Sequence, residues 1–123
     1  DESGAADDPR VQQRLAQAFV EVRLFQLQNW RSLSRLQHGR DLGPEAATAK
    51  LYWSEMSQRL HHTVLAVLGD AAPLWRGAAR NPGGGRWQRS WLYYRAASIF
   101  AGTNEIQRTI IGERALGLPR EPT

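Results

Sequence analysis

The sequence contains no cysteine, so neither disulfide bonds nor thiolate metal sites stabilise its fold. This absence suits a reducing compartment, and we expect a cytoplasmic protein. Histidine is scarce as well, and the three present are His38, His61 and His62. Positions 61 and 62 point about 100° apart on a helix, so they do not combine with His38 into a metal site. We therefore predict that the chain binds no metal ion.

Long apolar runs are also missing. No stretch approaches the ~20 apolar residues that cross a bilayer, and no signal-peptide pattern is present. We therefore expect no membrane partner. The sequence begins at Asp1 and not at Met, which suggests a fragment, a processed product or a trimmed chain.

Lysine is almost absent, since Lys50 is the only one among 16 basic residues, which face 12 acidic residues. The resulting net charge of +4 invites a nucleic-acid function. The arginines, however, are spread along every segment, and several lie at helical spacing from acidic residues. We therefore predict no nucleic-acid partner.

Strand patterns and internal repeats are absent, whereas apolar residues recur every three or four positions. The first helical segment starts at Asp8-Pro9, a capping residue followed by a proline suited to the first turn, and it ends before Gly39. At about 30 residues it is long enough to form an arm of a bundle or of an oligomer interface. Its apolar face comprises Leu15, Phe19, Val22, Gln26, Trp30 and Leu33.

Three further helices follow over residues 44–68, 87–100 and 104–116. We expect the glycine- and proline-rich connection 69–86 to lack regular structure, with Gly83-Gly84-Gly85 as a flexible joint and not a phosphate cradle. The predicted fold is all-α, an antiparallel (up-down) four-helix bundle with one long crossover. We expect residues 1–8 to be a flexible lead-in, residues 9–117 the bundle and residues 118–123 a C-terminal tail.

One junction between helices has the composition of a binding site. The apolar run through Ile99 and Phe100 stops at Gly102, and Thr103 offers a hydroxyl to cap the next helix. A capped helix start facing a cleft suits an anion or a ribose. Most such junctions are only turns, so the residues alone leave both interpretations open.

The sequence around this junction resembles a known family. Tyr94 to Arg120, with Gly-Thr-Asn-Glu-Ile-Gln-Arg and Ile-Ile-Gly-Glu-Arg-Ala-Leu-Gly-Leu-Pro-Arg, is similar to the C-terminal signature of the flavin-dependent acyl-CoA dehydrogenases. Gly43-Pro44-Glu45 and the segment from Ala49 to Glu55 also resemble the C-terminal helical domain of that family. The resemblance covers nearly the whole chain except its acidic start, and it implies a fragment of such an enzyme.

The resemblance implies α,β-dehydrogenation of an acyl-CoA substrate, with FAD as cofactor and an electron-transfer flavoprotein as electron acceptor. It places FAD contacts at Gly102, Thr103, Asn104 and Glu105. Many members carry the catalytic Glu directly before the Gly-Thr pair, but here this residue is Ala101, which has no proton acceptor. The backbone N–H of Ala101 remains a candidate donor to the thioester oxygen.

Two interpretations of Ala101 remain open. In some branches of the family the base comes from an earlier helix of the same domain, which would precede residue 1. The alternative is a non-catalytic structural subunit or oligomerisation module of a heteromeric acyl-CoA dehydrogenase. A second flavin element of the family, a Gln followed by Gly-Gly, aligns with Ala66 and with Gly69-Asp70, so half of it is missing. Asp70 would repel a pyrophosphate, and this favours a heteromeric assembly with unequal sites. The resemblance itself implies a homo- or hetero-oligomer with acyl-CoA dehydrogenase subunits.

Overall fold

The computed structural model describes residues 4–120, and the regular structure of that part of the chain is helical. Four α-helices follow one another: α1 (Pro9–Gln37), α2 (Glu45–Leu68), α3 (Arg86–Arg95) and α4 (Asn104–Ile110). They pack together, which confirms the predicted all-α class and the four helices. Among the described residues, no helix combines the length and the apolar character that crossing a bilayer demands.

Helix α2 lies at the centre of the fold and contacts each of the other three helices. Its buried side chains are small or flexible, namely Ala47, Ser54, Met56 and Ser57. Aromatic rings extend these contacts toward the C-terminal half, where the Trp53 ring lies 6.1 Å from that of Tyr94 and 6.0 Å from that of Phe100. The environment of the junction after Phe100 is therefore set mainly by α2.

Helix α1 packs on α2 through its less apolar side. The Phe25 ring stacks on Tyr52 at 6.2 Å, and the Tyr52 hydroxyl donates to the Glu21 carbonyl at 3.2 Å. None of its described side chains is buried. The apolar face predicted from the sequence points away from α2, since its largest members are 46 to 67% exposed: Leu15, Phe19, Trp30 and Leu33.

The predicted C-terminal end of the third helix is wrong by several residues, whereas helical structure after Asn104 continues to Ala115, one residue before the predicted end. Helix α3 ends at Arg95 and continues as a 3-10 turn, Ala96–Ser98, and not to Phe100. The Ser98 hydroxyl donates to the Arg95 carbonyl at 3.1 Å and so competes with the helical hydrogen bond. Helix α4 ends at Ile110 and passes into a π-helical turn, Ile111–Ala115.

The expectation that the connection 69–86 lacks regular structure is also wrong. It contains two 3-10 turns, Gly69–Ala71 and Pro82–Gly85, and helix α3 begins at its last residue. Asn81 holds the connection together by donating to the carbonyls of Leu74 and Trp75 at 2.8 and 3.0 Å. Within the predicted lead-in, Ala5–Asp7 forms a further 3-10 turn. Residues 1–3 of that lead-in and residues 121–123 of the predicted tail lie outside the described residues.

Candidate functional site

The junction before α4 is a tight turn with two successive left-handed residues. Ala101 has φ +55° and Gly102 has φ +86°. Just before them, the N–H groups of Ile99 and Phe100 both donate to the Ala96 carbonyl, at 2.9 and 3.0 Å. A left-handed backbone costs a residue with a Cβ roughly 1–2 kcal/mol, so Ala101 keeps this conformation only because its neighbours hold the turn in place.

Helix α2 provides that support through Lys50 and Ser54. The Lys50 ammonium donates to the Gly102 carbonyl at 2.6 Å and to the Asn104 side-chain oxygen at 3.0 Å. The Ser54 hydroxyl donates to the same Asn104 oxygen at 2.9 Å. Ser54 is completely buried and Asn104 is 6% exposed, so the Ser54–Asn104 end of this cluster is shielded from water. The cluster ties the turn to α2 by charge-assisted hydrogen bonds.

A second constraint comes from α4 itself. The Gln107 amide donates to the Ala101 carbonyl at 3.1 Å and lies beneath Gly102. A Cβ on Gly102 would stand 2.7 Å from the Gln107 amide nitrogen, so the end of that side chain would have to move away from the Ala101 carbonyl. Position 102 therefore needs glycine mainly for its backbone conformation.

Thr103 caps α4, and Glu105 lies in its first turn. The Thr103 side chain accepts a hydrogen bond from the Ile106 N–H at 3.3 Å, as the sequence predicted for a capping residue. Hydrogen bonds from its own backbone N–H and from the Thr103 hydroxyl lower the pKa of the Glu105 carboxyl below its usual value. Glu105 is therefore an exposed carboxylate at neutral pH, beside a hydroxyl that already serves the helix.

The structure thus brings all five predicted site residues together, but not in equivalent environments. Ala101, Gly102 and Glu105 are exposed, Thr103 is half-buried and Asn104 is buried. The Asn104 side-chain oxygen is occupied by Lys50 and Ser54 of α2, so it is not available to a ligand. No hydrogen bond of the described residues uses the N–H of Ala101. The exposed surface of the turn can donate backbone N–H groups and accept through a carboxylate.

Sequence reasoning missed three residues that hold this turn: Lys50, Ser54 and Gln107. A signal for the first two was available. Lys50 is the only lysine of an arginine-rich chain, and Ser54 follows it by four residues, which places both on one face of α2. Lysine serves here as a compact charge that reaches two oxygens, whereas a planar guanidinium favours a paired geometry.

The second predicted flavin element lies elsewhere. Ala66 and Asp70 are exposed at the C-terminal end of α2, whereas Lys50 and the turn lie near its beginning. The 16 positions between residues 50 and 66 correspond to about 24 Å along a helix. The structure therefore does not combine the two elements into one site on this chain.

An ion-pair chain crosses three helices below the turn. Arg108 of α4 contacts Glu55 of α2 at 2.5 Å, and Arg59 of α2 lies 3.9 Å from Glu55 and 3.1 Å from Glu21 of α1. Glu55 and Arg59 are also at i,i+4 spacing on α2, which from the sequence alone indicates an ordinary solvated pair. Both have partners on other helices as well, although half of the Arg59 side chain remains exposed, so the network contributes modestly.

Comparison with known proteins identifies the family. The model of the acyl-CoA dehydrogenase C-terminal domain matches residues 2–116. The chain belongs to this family. The match extends over all four helices and includes the turn at Ala101 and Gly102. The resemblance predicted from the Gly-Thr-Asn-Glu signature is thereby confirmed.

Curated relatives carry the same family name. The acyl-CoA dehydrogenase IpdE1 of Mycolicibacterium smegmatis is 36% identical over 119 residues, which is 97% of this chain and 28% of the relative. The acyl-CoA dehydrogenase FadE26 of Mycobacterium tuberculosis is 35% identical over 120 residues, 93% of this chain and 29% of the relative. The chain thus spans less than a third of the length of these relatives.

Solved structures share the fold. The ChsE4-ChsE5 complex from Mycobacterium tuberculosis matches with a TM-score of 0.85 and 32% identity over 95% of this chain and 30% of that one. The Tcur3481-Tcur3483 steroid ACAD matches with a TM-score of 0.89 over 98% of this chain and 31% of that one, at 22% identity. Two of the structural neighbours are therefore described as assemblies of two different components.

Proposed function

We propose that this chain is the C-terminal domain of a flavin-dependent acyl-CoA dehydrogenase that carries out α,β-dehydrogenation of an acyl-CoA thioester. The observation that carries the proposal is the family's Gly-Thr signature on a turn that α2 holds rigidly through Lys50. The turn exposes the backbone N–H of Ala101 without an internal acceptor. A preorganised donor of this kind stabilises the oxyanion that develops when an α proton leaves a thioester.

The same turn has groups suited to FAD. We assign cofactor contacts to the backbone at Gly102 and Asn104, to the Thr103 hydroxyl and to the Glu105 carboxylate. A carboxylate accepts hydrogen bonds from sugar hydroxyls, and its charge disfavours a direct phosphate contact at that position. When bound, the flavin accepts the β hydride, and an electron-transfer flavoprotein then receives the electrons. The role of this chain is to position and polarise, and we expect it to be inactive by itself.

The proton acceptor has to come from outside the turn. The methyl group of Ala101 offers no basic atom, and the nearby Glu105 is held in the ionised form by its hydrogen bonds but belongs to the proposed cofactor contacts. A general base requires hydrogen-bond reach of the α proton. We therefore place the catalytic carboxylate on a segment that packs against this domain and is not among these 123 residues.

A second candidate function is a non-catalytic subunit of a heteromeric acyl-CoA dehydrogenase. Three observations support it: Ala101 at the position of the family's base, Asp70 in place of a glycine of the second flavin element, and relatives such as ChsE4-ChsE5 that are described as complexes. The exposed apolar face of α1 supports assembly in either case, because soluble monomers rarely leave such faces open.

The visible absorption spectrum of the full-length protein tests both candidates. We expect the flavin band near 450 nm, roughly where bound flavins absorb, to be present and to bleach anaerobically with an acyl-CoA. Flavin bound and bleached without a partner supports the catalytic proposal. Flavin that appears only after co-expression with a second acyl-CoA dehydrogenase subunit supports the alternative. A protein without flavin in both preparations contradicts both.

A pair of matched variants tests the assigned contacts. Thr103→Val removes the hydroxyl assigned to the cofactor, whereas Thr109→Val removes a hydroxyl on the same helix that donates only to the Glu105 carbonyl, at 3.2 Å. We expect flavin retention to weaken about tenfold in Thr103→Val, since one hydrogen bond is worth roughly 1 kcal/mol. Flavin retention in Thr109→Val should be unchanged. Thr103→Ser keeps the cap and the hydroxyl and should restore binding. Equal losses in both valine variants would contradict the assignment.

A further inference from the structure

The segment from Ala71 to Asn104 contains no Asp or Glu. It carries Arg76, Arg80, Arg86, Arg89 and Arg95. Read along the chain these arginines look dispersed, which is why the sequence predicted no basic cluster. The structure gathers three of them, because the 3-10 turn Pro82–Gly85 brings the connection back against the start of α3.

These three arginines line one cavity. Arg76, Arg86 and Arg89 surround a space of about 420 Å³, together with Ser90 and Tyr93. Among residues 4–120, no carboxylate lines this cavity. In the part of the chain that the structure describes, none of the three forms an ion pair. Five other arginines do form one: Arg10, Arg35, Arg59, Arg108 and Arg120. Like charges gathered without a counter-charge favour the entry of an anion.

The glycine turn makes this gathering possible. Gly83, Gly84 and Gly85 all have left-handed backbone angles, with φ of 73°, 62° and 84°. A Cβ on Gly83 would lie 3.1 Å from the Arg86 side-chain nitrogen, and one on Gly85 would lie 3.3 Å from the Arg76 side chain. The turn is thus a surface on which two arginine side chains rest, and not the flexible joint that the sequence predicted.

An exposed aromatic ring completes the cavity. Tyr93 lines it and is 63% exposed, although the ring is held between Tyr94 at 5.5 Å and Phe100 at 6.2 Å. A fixed ring with a free face can stack on a planar base. The Ser90 hydroxyl beside it can donate to or accept from a ligand.

We propose that this cavity binds a phosphorylated nucleotide, with its phosphate groups among Arg76, Arg86 and Arg89 and its base against Tyr93. Guanidinium groups match phosphate oxygens with paired hydrogen bonds, and the cavity offers three of them without a competing acid. The proposal does not depend on the turn at Ala101 and Gly102, because no residue of that turn lines the cavity.

Isothermal titration of the full-length protein with ADP, pyrophosphate and adenosine tests the proposal. We expect ADP to bind at least tenfold more tightly than pyrophosphate and adenosine not to bind detectably. Raising NaCl from about 50 to about 500 mM should weaken ADP binding strongly, because exposed charge pairs are screened. Binding of pyrophosphate as tight as that of ADP would refute the base contact, and no ADP binding at low salt would refute the site.

Variants assign the binding to this cavity. Arg89→Gln should weaken ADP binding about tenfold, and Arg86→Gln by a similar factor, since each removes a charge-assisted hydrogen bond. Arg114→Gln is the matched control, because it removes the same charge from an exposed position outside the cavity. Tyr93→Ala should reduce ADP affinity to that of pyrophosphate. Circular dichroism verifies folding of each variant, and equal losses for Arg89→Gln and Arg114→Gln would overturn the assignment.

Discussion

Removal of the Lys50 ammonium should loosen the signature turn without unfolding the domain. In Lys50→Met the side chain keeps its apolar stem but loses its bonds to the Gly102 carbonyl and to the Asn104 side-chain oxygen. The Gly102 carbonyl is exposed and can turn to water, whereas Asn104 is buried and keeps only the bond from Ser54. The buried end of the cluster therefore determines the cost.

The magnitude follows from these contacts. A hydrogen bond to a charged group contributes roughly 1.5–3 kcal/mol, and a neutral one about 1 kcal/mol. We expect Lys50→Met to lower the free energy of unfolding by about 1–2 kcal/mol, because one of its two acceptors regains a partner in water. Asn104→Ala removes the shared acceptor of Lys50 and Ser54 and should cost about 2–3 kcal/mol. The two changes should couple by roughly 1 kcal/mol, since they remove the same bond.

Urea unfolding of the two single variants and of the double variant measures this coupling. Amide hydrogen exchange then locates it, and we expect faster exchange in Lys50→Met at residues 101–104 and little change in α1. Ser98→Ala is the control, because it removes an exposed hydroxyl bond within one turn and should change stability by less than about 0.5 kcal/mol. A coupling near zero, or exchange that rises equally in α1, would refute the assignment of Lys50 as the anchor of the turn.

Three further outcomes follow from the same contacts. Gly102→Ala should destabilise the chain by about 2–3 kcal/mol in urea unfolding, because its φ of +86° strains alanine and its Cβ meets the Gln107 amide. Ala101→Gly should instead be neutral or slightly stabilising, because glycine relieves the strain of a left-handed alanine. The folded-state pKa of Glu105 lies below its unfolded value, so its contribution to stability is present above the unfolded pKa and is lost as the pH falls through the folded pKa. Glu105→Gln should therefore flatten the decline in unfolding free energy between pH 5 and pH 3, about the range in which carboxylates titrate. Phe19→Ser should raise the monomer fraction in sedimentation velocity without loss of helix content, since the Phe19 side chain is 67% exposed, and unchanged association would contradict an interface on this face.

The sequence predicted helices more accurately than the ends of helices. Periodicity and capping residues located α1 and α2 to within a residue or two, since Asp8 and Gly69 mark boundaries by local chemistry. Helix α3 ends at Arg95, where the Ser98 hydroxyl bonds the Arg95 carbonyl, and the tight turn at Ala101 follows. No local residue signals that turn, because an alanine is not an expected left-handed residue.

In the candidate site too, some features were predictable from local residues and others depend on packing between helices. The family signature pointed to Ala101, Gly102 and Thr103, and the Thr103 cap was predictable from its hydroxyl alone. The support from Lys50 joins residues more than fifty positions apart, and only the packing of α2 against α4 creates it. Asn104 illustrates the consequence, since the motif presents it as one of four equal residues but packing turns its side chain inward.

Helix α1 shows why an apolar face does not by itself define a core. Its periodicity predicted a helix correctly, yet none of its described side chains is buried and the apolar face lies open. The chain exposes 8979 Å², whereas a compact monomer of 13.9 kDa would expose about 6,700 Å². The excess of roughly 2,300 Å² is well above the ~800 Å² that a standard interface buries on each partner. It leaves room for cover both by the remaining parts of a protein as long as the relatives and by other subunits. The signature turn, in contrast, is held by α2 and by Gln107 of α4, so its geometry does not depend on whatever covers α1.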